Sequence, residues 1–398
     1  MIRTTTTLAF ALISTMATAQ QHTGRDENRV LSSAGPIQIE ELATLEFPWG
    51  MEALPEGGLL ITEKVGALRR WSEADGLSDP ISGLPEIEYQ GQGGLLDVAL
   101  HPDFAENGLV YLYYVMAAED QPEEPALDND PRLGPFVNTE DRVLKGGVVW
   151  RARLDGDTLV EGKELWRQEP FSVGLGQFGG RLVFRDDGTL IITSGDRQRF
   201  EPAQSYETNL GKILRINDDG SIPEDNPYWT AGSPLDAVWS LGPRNPLGAA
   251  IRPETGELYT HEMGPLYGDE LNVPVPSGNY GWPEVSNGEN YNRQPIAHHE
   301  TALERFERPL FYWRPAVSPS GLMFYNGDMF ADWKGNAFLG GLSVQALVRV
   351  SFDGENVSGS EQINLYRRVR DVMQADDGAI LILTDYEDGK LLRLTPAE

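Results

Sequence analysis

The chain has no cysteine among its 398 residues. That excludes disulfide scaffolding, thiolate nucleophiles and cysteine-held zinc or iron–sulfur centres. Basic residues are scarce as well: 32 Lys and Arg stand against 61 Asp and Glu, a formal charge of −29. A surface of that sign repels phosphate backbones and anionic headgroups, which argues against nucleic acid and membrane surfaces as partners. It also means that an anionic ligand needs the few arginines gathered at its site. Histidine is limited to His22, His101, His261, His298 and His299, which narrows the choice of a general base. No stretch reaches the ~18 apolar residues of a membrane span, and no strand–Gly-x-Gly-x-x-Gly–helix unit marks a nicotinamide enzyme. One short apolar run, 8–16, follows Arg3 and ends in Ala17-Thr18-Ala19. This pattern predicts a secretory signal peptide over 1–19, and an exported chain, periplasmic or secreted, from residue 20.

Glycine (43) and proline (27) are abundant, which suits short strands joined by tight turns. A polar turn with glycine followed by an apolar run recurs six times. The copies cover 55–62, 106–113, 186–193, 254–260, 333–340 and 376–384. A further strand-like run follows several of them, at 66–71, 211–216, 345–350 and 389–394. Each unit is too small to bury its own apolar face, so the units must stack, and closing them into a ring leaves no long sheet edge. The sequence therefore predicts an all-β fold, a single six-bladed β-propeller over 20–398. The spacing of the copies is uneven, roughly 45 to 80 residues, so long loops are inserted between some strands. The acidic, proline-containing segment 119–130 reads as a solvated lid or tip.

The segment 241–283 is the least regular. It carries Arg244-Asn245, then His261-Glu262-Met263-Gly264-Pro265, Gly268-Asp269-Glu270-Leu271-Asn272 and Asn279-Tyr280-Gly281-Trp282-Pro283. Long loops in a compact domain are usually functional. Carbonyls and carboxylates at this density suit a hard cation such as Ca²⁺.

These motifs, together with Gly91-Gln92-Gly93-Gly94-Leu95-Leu96-Asp97, Phe178-Gly179-Gly180-Arg181, Pro319-Ser320-Gly321 and Arg368-Val369-Arg370-Asp371, occur in an order that resembles the soluble quinoprotein sugar dehydrogenases. These are the glucose/sorbosone and aldose sugar dehydrogenases that use pyrroloquinoline quinone (PQQ), and the resemblance runs from about Pro48 to Pro396. It implies a six-bladed propeller with PQQ and Ca²⁺ as cofactors. The activity implied is oxidation of an aldose sugar, or a related alcohol, to its lactone by hydride transfer to the quinone. PQQ is a flat tricarboxylate, and guanidinium groups pair with carboxylates bidentately. The expected cofactor-binding residues are Gln92, Arg244, Asn245, Arg368 and Arg370, with Trp282 or Trp313 as a stacking surface. The resemblance places Ca²⁺ on the backbone carbonyls of Gly264 and Pro265, and a second, structural Ca²⁺ at Glu270 and the Tyr280 carbonyl. It also places the family's catalytic histidine at position 177, where this chain has Gln177. An amide is no base near neutral pH. His261 and Asp196 are the candidate replacements.

The leading expectation is thus a sugar dehydrogenase acting with an electron acceptor that the sequence does not identify. The alternative is a catalytically weak or non-enzymatic propeller that binds PQQ or carbohydrate, because Gln177 replaces the histidine. A Ca²⁺-dependent lactonase would need several side-chain carboxylates and amides converging on one cation, and no such cluster stands out.

Overall fold

The computed structural model describes residues 28–125, 130–136 and 141–397, with the side chains of 134–136 left aside. The predicted signal peptide and part of the 119–130 loop lie outside these residues. Six antiparallel sheets are arranged as a β-propeller, and the single α-helix among the described residues spans only Phe104–Asn107. No helix there is long and apolar enough to cross a membrane.

Five blades have four strands in chain order, beginning with Pro48–Ala53, Leu95–Leu100, Gly179–Phe184, Pro246–Ile251 and Pro319–Phe324. The sixth begins with Val369–Gln374 and is completed from the other end of the chain. Gly35–Leu45 pairs antiparallel with the late strand Gly389–Pro396, with Ile39 opposite Leu394. Arg29–Ser32 adds a fifth strand to that sheet. Ile37 and Ile39 pack beside Leu392 and Leu394 in a buried cluster, so the ring is closed by side chains as well as by the ladder.

The six sequence repeats are the turn and second strand of successive blades: Leu59–Glu63, Leu109–Ala117, Leu190–Ser194, Leu258–Glu262, Ala337–Gly341 and Ile380–Thr384. Their turn glycines share one requirement. Gly58, Gly108, Gly188, Gly256, Gly335 and Gly378 all have φ between 65° and 88°, the left-handed region that side chains disfavour. The second strands are apolar on both faces because a neighbouring blade covers each side. Ile192, for example, belongs to one core cluster and Ile191 to another.

Every first strand carries a register shift near its third residue. The bulge re-aims that residue. The six third positions are Gly50, Asp97, Arg181, Gly248, Gly321 and Asp371. Arg181 bridges the two acids, 2.8 Å from Asp97 and 2.9 Å from Asp371, and all three are buried. Two glycines make room: a Cβ on Gly50 would come within 2.6 Å of the Asp97 carboxylate, and one on Gly321 within 2.5 Å of Asp371. At Gly248 the missing side chain is replaced by the ring of His261, reaching in from the second strand. Its Nε2 lies 2.6 Å from the Gly321 carbonyl.

Candidate active site

In an antiparallel blade, the start of the first strand and the end of the second lie on the same face. Trp49, Gly179, Leu247 and Arg370 sit at the starts of first strands, and Phe178, Ser318 and Arg368 lie just before them. Lys64, Met263 and Leu342 follow second strands directly. With Gln92, these residues line a cavity of about 200 Å³ on that face.

The lining has three cations and no carboxylate. Behind it Asp385 lies 2.9 Å from Arg370 Nη2 and 2.7 Å from Arg368 Nη2. Lys64 Nζ donates to the Gly91 carbonyl at 3.0 Å. Three cations around one acid leave positive charge in excess. Burial and the neighbouring Arg370 push the Lys64 ammonium down to about 8. Burial also lowers Arg370. Asp385, against the upward push of burial, is held down to about 2 by Arg370 and Arg368. Such a pocket favours a bound anion.

Gln177 stands immediately before Phe178 and is buried in a left-handed conformation, φ 57°. Its N–H donates to Gln92 Oε1 at 2.8 Å. With the amide oriented to satisfy both neighbours, its oxygen accepts from Arg244 Nη2 at 2.6 Å and its nitrogen donates to Asp196. Asp196 is fully buried. Its oxygens accept from Trp282 Nε1 at 2.7 Å, Gln198 N at 2.8 Å and Phe200 N at 3.2 Å. Burial raises its carboxyl, while Arg244 opposes the shift. Arg197, Gln198 and Phe200 also have φ near 60°. Strain gathered this tightly marks a functional site more often than a structural one. The loop carrying Gln177 is tied down by Arg197, whose guanidinium donates to the carbonyls of Gly174 and Gly176 and lies 3.7 Å from the Phe178 ring centroid.

Arg244 faces a second, smaller cavity of about 10 Å³, lined also by Glu262, Gly264, Pro265, Glu270 and Tyr280. Its Nη1 donates to the carbonyls of Met263 at 2.8 Å and Gly264 at 2.9 Å. Glu262 and Glu270 stand directly opposite each other on adjacent strands, and both are buried. Burial and the neighbouring Glu270 push the Glu262 carboxyl up. His299 Nε2 lies 3.1 Å from Glu270. Two buried carboxylates against a water-sized space with backbone carbonyls form a donor set for a hard cation. No group of three or more His, Asp or Glu side chains converges on a metal position among the described residues, so a cation here would rely on carbonyls.

The structure gathers Gln92, Arg368 and Arg370 at the first cavity and Arg244, Gly264, Pro265, Glu270 and Tyr280 at the second, with Gln177 against Arg244 between them. Other expectations change. The Asn245 side-chain oxygen accepts from Gly179 N at 3.1 Å and so ties two blades together. Burial pushes the His261 imidazole down to about 4; it fills the gap behind Gly248 and does not line the cavity, which removes it as a replacement base. Trp313 packs on Phe311 in a core cluster and lines neither cavity, whereas Trp282 lines the second one, its ring centroid 5.2 Å from the Arg244 guanidinium and its Nε1 donating to Asp196. Trp49 and Phe178 provide the cavity's aromatic surfaces; Phe178 opens a motif singled out in the sequence, though not for this role, and Trp49 did not stand out. Lys64 was missed too; a lysine directly after a repeated strand of an acidic protein was the available signal.

The family described as Glucose / Sorbosone dehydrogenase matches residues 45–393. Aldose sugar dehydrogenase YliI of Escherichia coli (strain K12) is 36% identical over 368 residues, covering 90% of this chain and 93% of that protein. The crystal structure of the soluble aldose sugar dehydrogenase from Escherichia coli, in its apo-form, superimposes with a TM-score of 0.80 at 34% identity, over 91% of this chain and all of that one. The PQQ-bound form of the aldose sugar dehydrogenase from Streptomyces coelicolor gives 0.68 at 25% identity, over 90% and 98%. On this match of sequence and fold, the chain belongs to the glucose/sorbosone dehydrogenase family, whose relatives here are sugar oxidoreductases.

Proposed function

We propose that the protein is a PQQ- and Ca²⁺-dependent dehydrogenase that oxidises an aldose sugar, or a related alcohol, to its lactone. The observation that carries this reading is the uncompensated positive charge of Lys64, Arg368 and Arg370, which suits a polycarboxylate. Those three cations and Gln92 would hold the quinone's carboxylates and ring edge. Gly264 and Pro265 would supply carbonyls to a catalytic Ca²⁺, and Glu270 with the Tyr280 carbonyl would hold a structural one. When bound, PQQ supplies an oxidising quinone and Ca²⁺ a Lewis acid, so that the sugar's anomeric carbon loses hydride, its hydroxyl loses a proton and a lactone remains.

Gln177, at the position where the resemblance places a histidine, cannot take that proton. Its amide is fixed between Arg244 and Asp196, and Asp196 already accepts three further hydrogen bonds. Neither group is a free base, which favours slow turnover. The predicted export from residue 20 would place the enzyme where it meets sugars outside the cytoplasm. The decisive experiment titrates the full chain with PQQ and Ca²⁺, following tryptophan fluorescence, and then measures dye reduction across a sugar panel. Tight binding with weak turnover is expected, and Gln177→His should raise turnover by about 10²-fold, the usual contribution of a positioned base. Absence of PQQ binding would sink the quinoprotein reading. Tight binding with no turnover in either form would leave a cofactor-binding propeller, the reading that Gln177 favours next.

A further inference from the structure

We propose that Arg197 is a positioning residue for the cationic cavity: it fixes the loop that ends in Phe178, and through that ring it lends a fixed positive charge to the anion the cavity holds. The consequence for a quinone rests on reading the cavity as a PQQ site; the consequence for anions in general does not.

Arg197 is fully buried and lines neither cavity. Its guanidinium lies 3.7 Å from the centroid of the Phe178 ring, and Phe178 lines the first cavity. One ring therefore stands between the cation and the cavity. The backbone of Arg197 is left-handed, φ 56°, and its N–H donates to the Gln177 carbonyl at 3.1 Å. Its Nη2 donates to the carbonyls of Ser172 at 3.2 Å and Gly174 at 3.0 Å, and its Nη1 to that of Gly176. A single side chain thus gathers the segment that carries both Gln177 and Phe178.

All of these acceptors are carbonyls. Among the described residues no carboxylate lies within ion-pair distance of Arg197, and its Nε has no hydrogen-bond partner. The two acids within electrostatic reach answer other cations: Asp141 lies 3.3 Å from Lys145, and Arg244 acts on Asp196. Burial and the neighbouring Arg199 push the Arg197 guanidinium down to about 9, so it stays charged at neutral pH. A buried cation without a counter-charge is costly. If the loop needed only donors for its carbonyls, an amide side chain would supply them without that cost. What an arginine adds is charge, held against the face of a ring by the ring's π electrons.

The cavity's other aromatic wall shows the contrast. Trp49 also carries a guanidinium, that of Arg181 at 4.2 Å, but Asp97 and Asp371 lie 2.8 Å and 2.9 Å from it and neutralise it within the core. Arg197 is left as a fourth cation acting on the cavity, from behind Phe178, beside Lys64, Arg368 and Arg370 in the lining. A bound polycarboxylate is stabilised by it. Hydride arriving on a quinone brings one more negative charge and is stabilised further. Arg197 should therefore raise both the anion affinity of the cavity and the reduction potential of a quinone held there.

The test titrates trimesate, a flat tricarboxylate without redox chemistry, into the full chain by isothermal calorimetry, and measures the potential of bound PQQ by spectroelectrochemistry. Arg197→Gln keeps donors for the carbonyls and removes the charge. Arg197→Lys keeps the charge and gives up the planar stack. In Arg197→Gln the trimesate affinity should fall about tenfold, and the PQQ potential should drop by about 30 mV, the same factor for a two-electron couple. In Arg197→Lys both should stay close to those of the unmodified protein. Thermal melts report whether each variant is folded, and Arg197→Met, which packs on Phe178 without charge, replaces Arg197→Gln if that variant melts. Equal trimesate affinity with and without the charge overturns the proposal, as does an unmodified protein that binds no trimesate. So does Arg197→Lys binding as weakly as Arg197→Gln, which would make Arg197 a clamp for the loop alone. If trimesate binds and PQQ does not, the quinoprotein reading falls and the trimesate series decides this one. If PQQ binds and neither its potential nor the trimesate affinity moves, the role of Arg197 falls and the quinoprotein reading stands.

Discussion

At neutral pH the cavity holds more positive charge than Asp385 balances, and Lys64 is the adjustable part of that excess. Its ammonium, ordinarily near 10.5, is pushed down to about 8, so it is charged below that pH and neutral above it. PQQ affinity is therefore expected to fall as pH rises through about 8. Lys64→Met should lower affinity by roughly tenfold at pH 7, the weight of one charge-assisted pair, and remove that pH step. Fluorescence titrations from pH 6.5 to 9 check both. Arg368, Arg370 and Gln92 were legible in the sequence, because guanidinium and amide groups in the loops of an acidic protein need a reason to be there. Lys64 and Trp49 were not. Lys64 reads as an ordinary turn residue, and Trp49 as a buried position of a strand. Only the bulge near Gly50 and the ring's curvature turn them into the cavity. His261 misled for a related reason: its position after a strand is visible in the sequence, whereas the glycine across the blade that receives its ring is not.

The repeated element is a glycine turn and an apolar second strand, and it was legible in all six blades because its two constraints are local. The turn demands left-handed φ, and the strand is covered on both faces. The strand that closes the ring was not foreseen. Gly35–Leu45 alternates buried and exposed residues, lacks the repeat's glycine turn, and pairs with a strand about 350 residues later. Its stability must come from a few side chains. Ile39 is 4% exposed within the closing cluster, so Ile39→Ala is expected to destabilise the protein by about 2–4 kcal/mol. An exposed position of the same strand, Glu40→Ala, should change stability by less than about 0.5 kcal/mol. Urea unfolding of the two variants tests the difference.

Across the whole molecule, the bulged first strands bring Asp97 and Asp371 onto the single guanidinium of Arg181, with Glu52 within electrostatic reach of both acids. Burial, Asp97 and Asp371 push Glu52 up to about 8, and burial raises Asp97 to about 6 against the pull of Arg181. An acid raised in the folded state stabilises most fully below its unfolded value, and that contribution is lost as pH rises through its folded value. For Glu52 the window runs from about 4.5 to about 8. Melting temperature should therefore decline across this range, and Glu52→Gln should flatten the decline, as calorimetry at pH 5, 6.5 and 8 will show. Ring closure has a consequence in time as well. The strands at 29–32 and 35–45 leave the ribosome before all other blade strands, yet the partner at 389–396 is made last. Until then the growing chain carries two unpaired sheet edges, and such edges invite association with other chains. Joining the strands at 35–45 and 389–396 through a short linker, with new termini opened in the 365–368 loop between the fifth and sixth blades, would pair them early in synthesis and leave every blade continuous in the chain. Such a circular permutant should refold faster and aggregate less than the natural order.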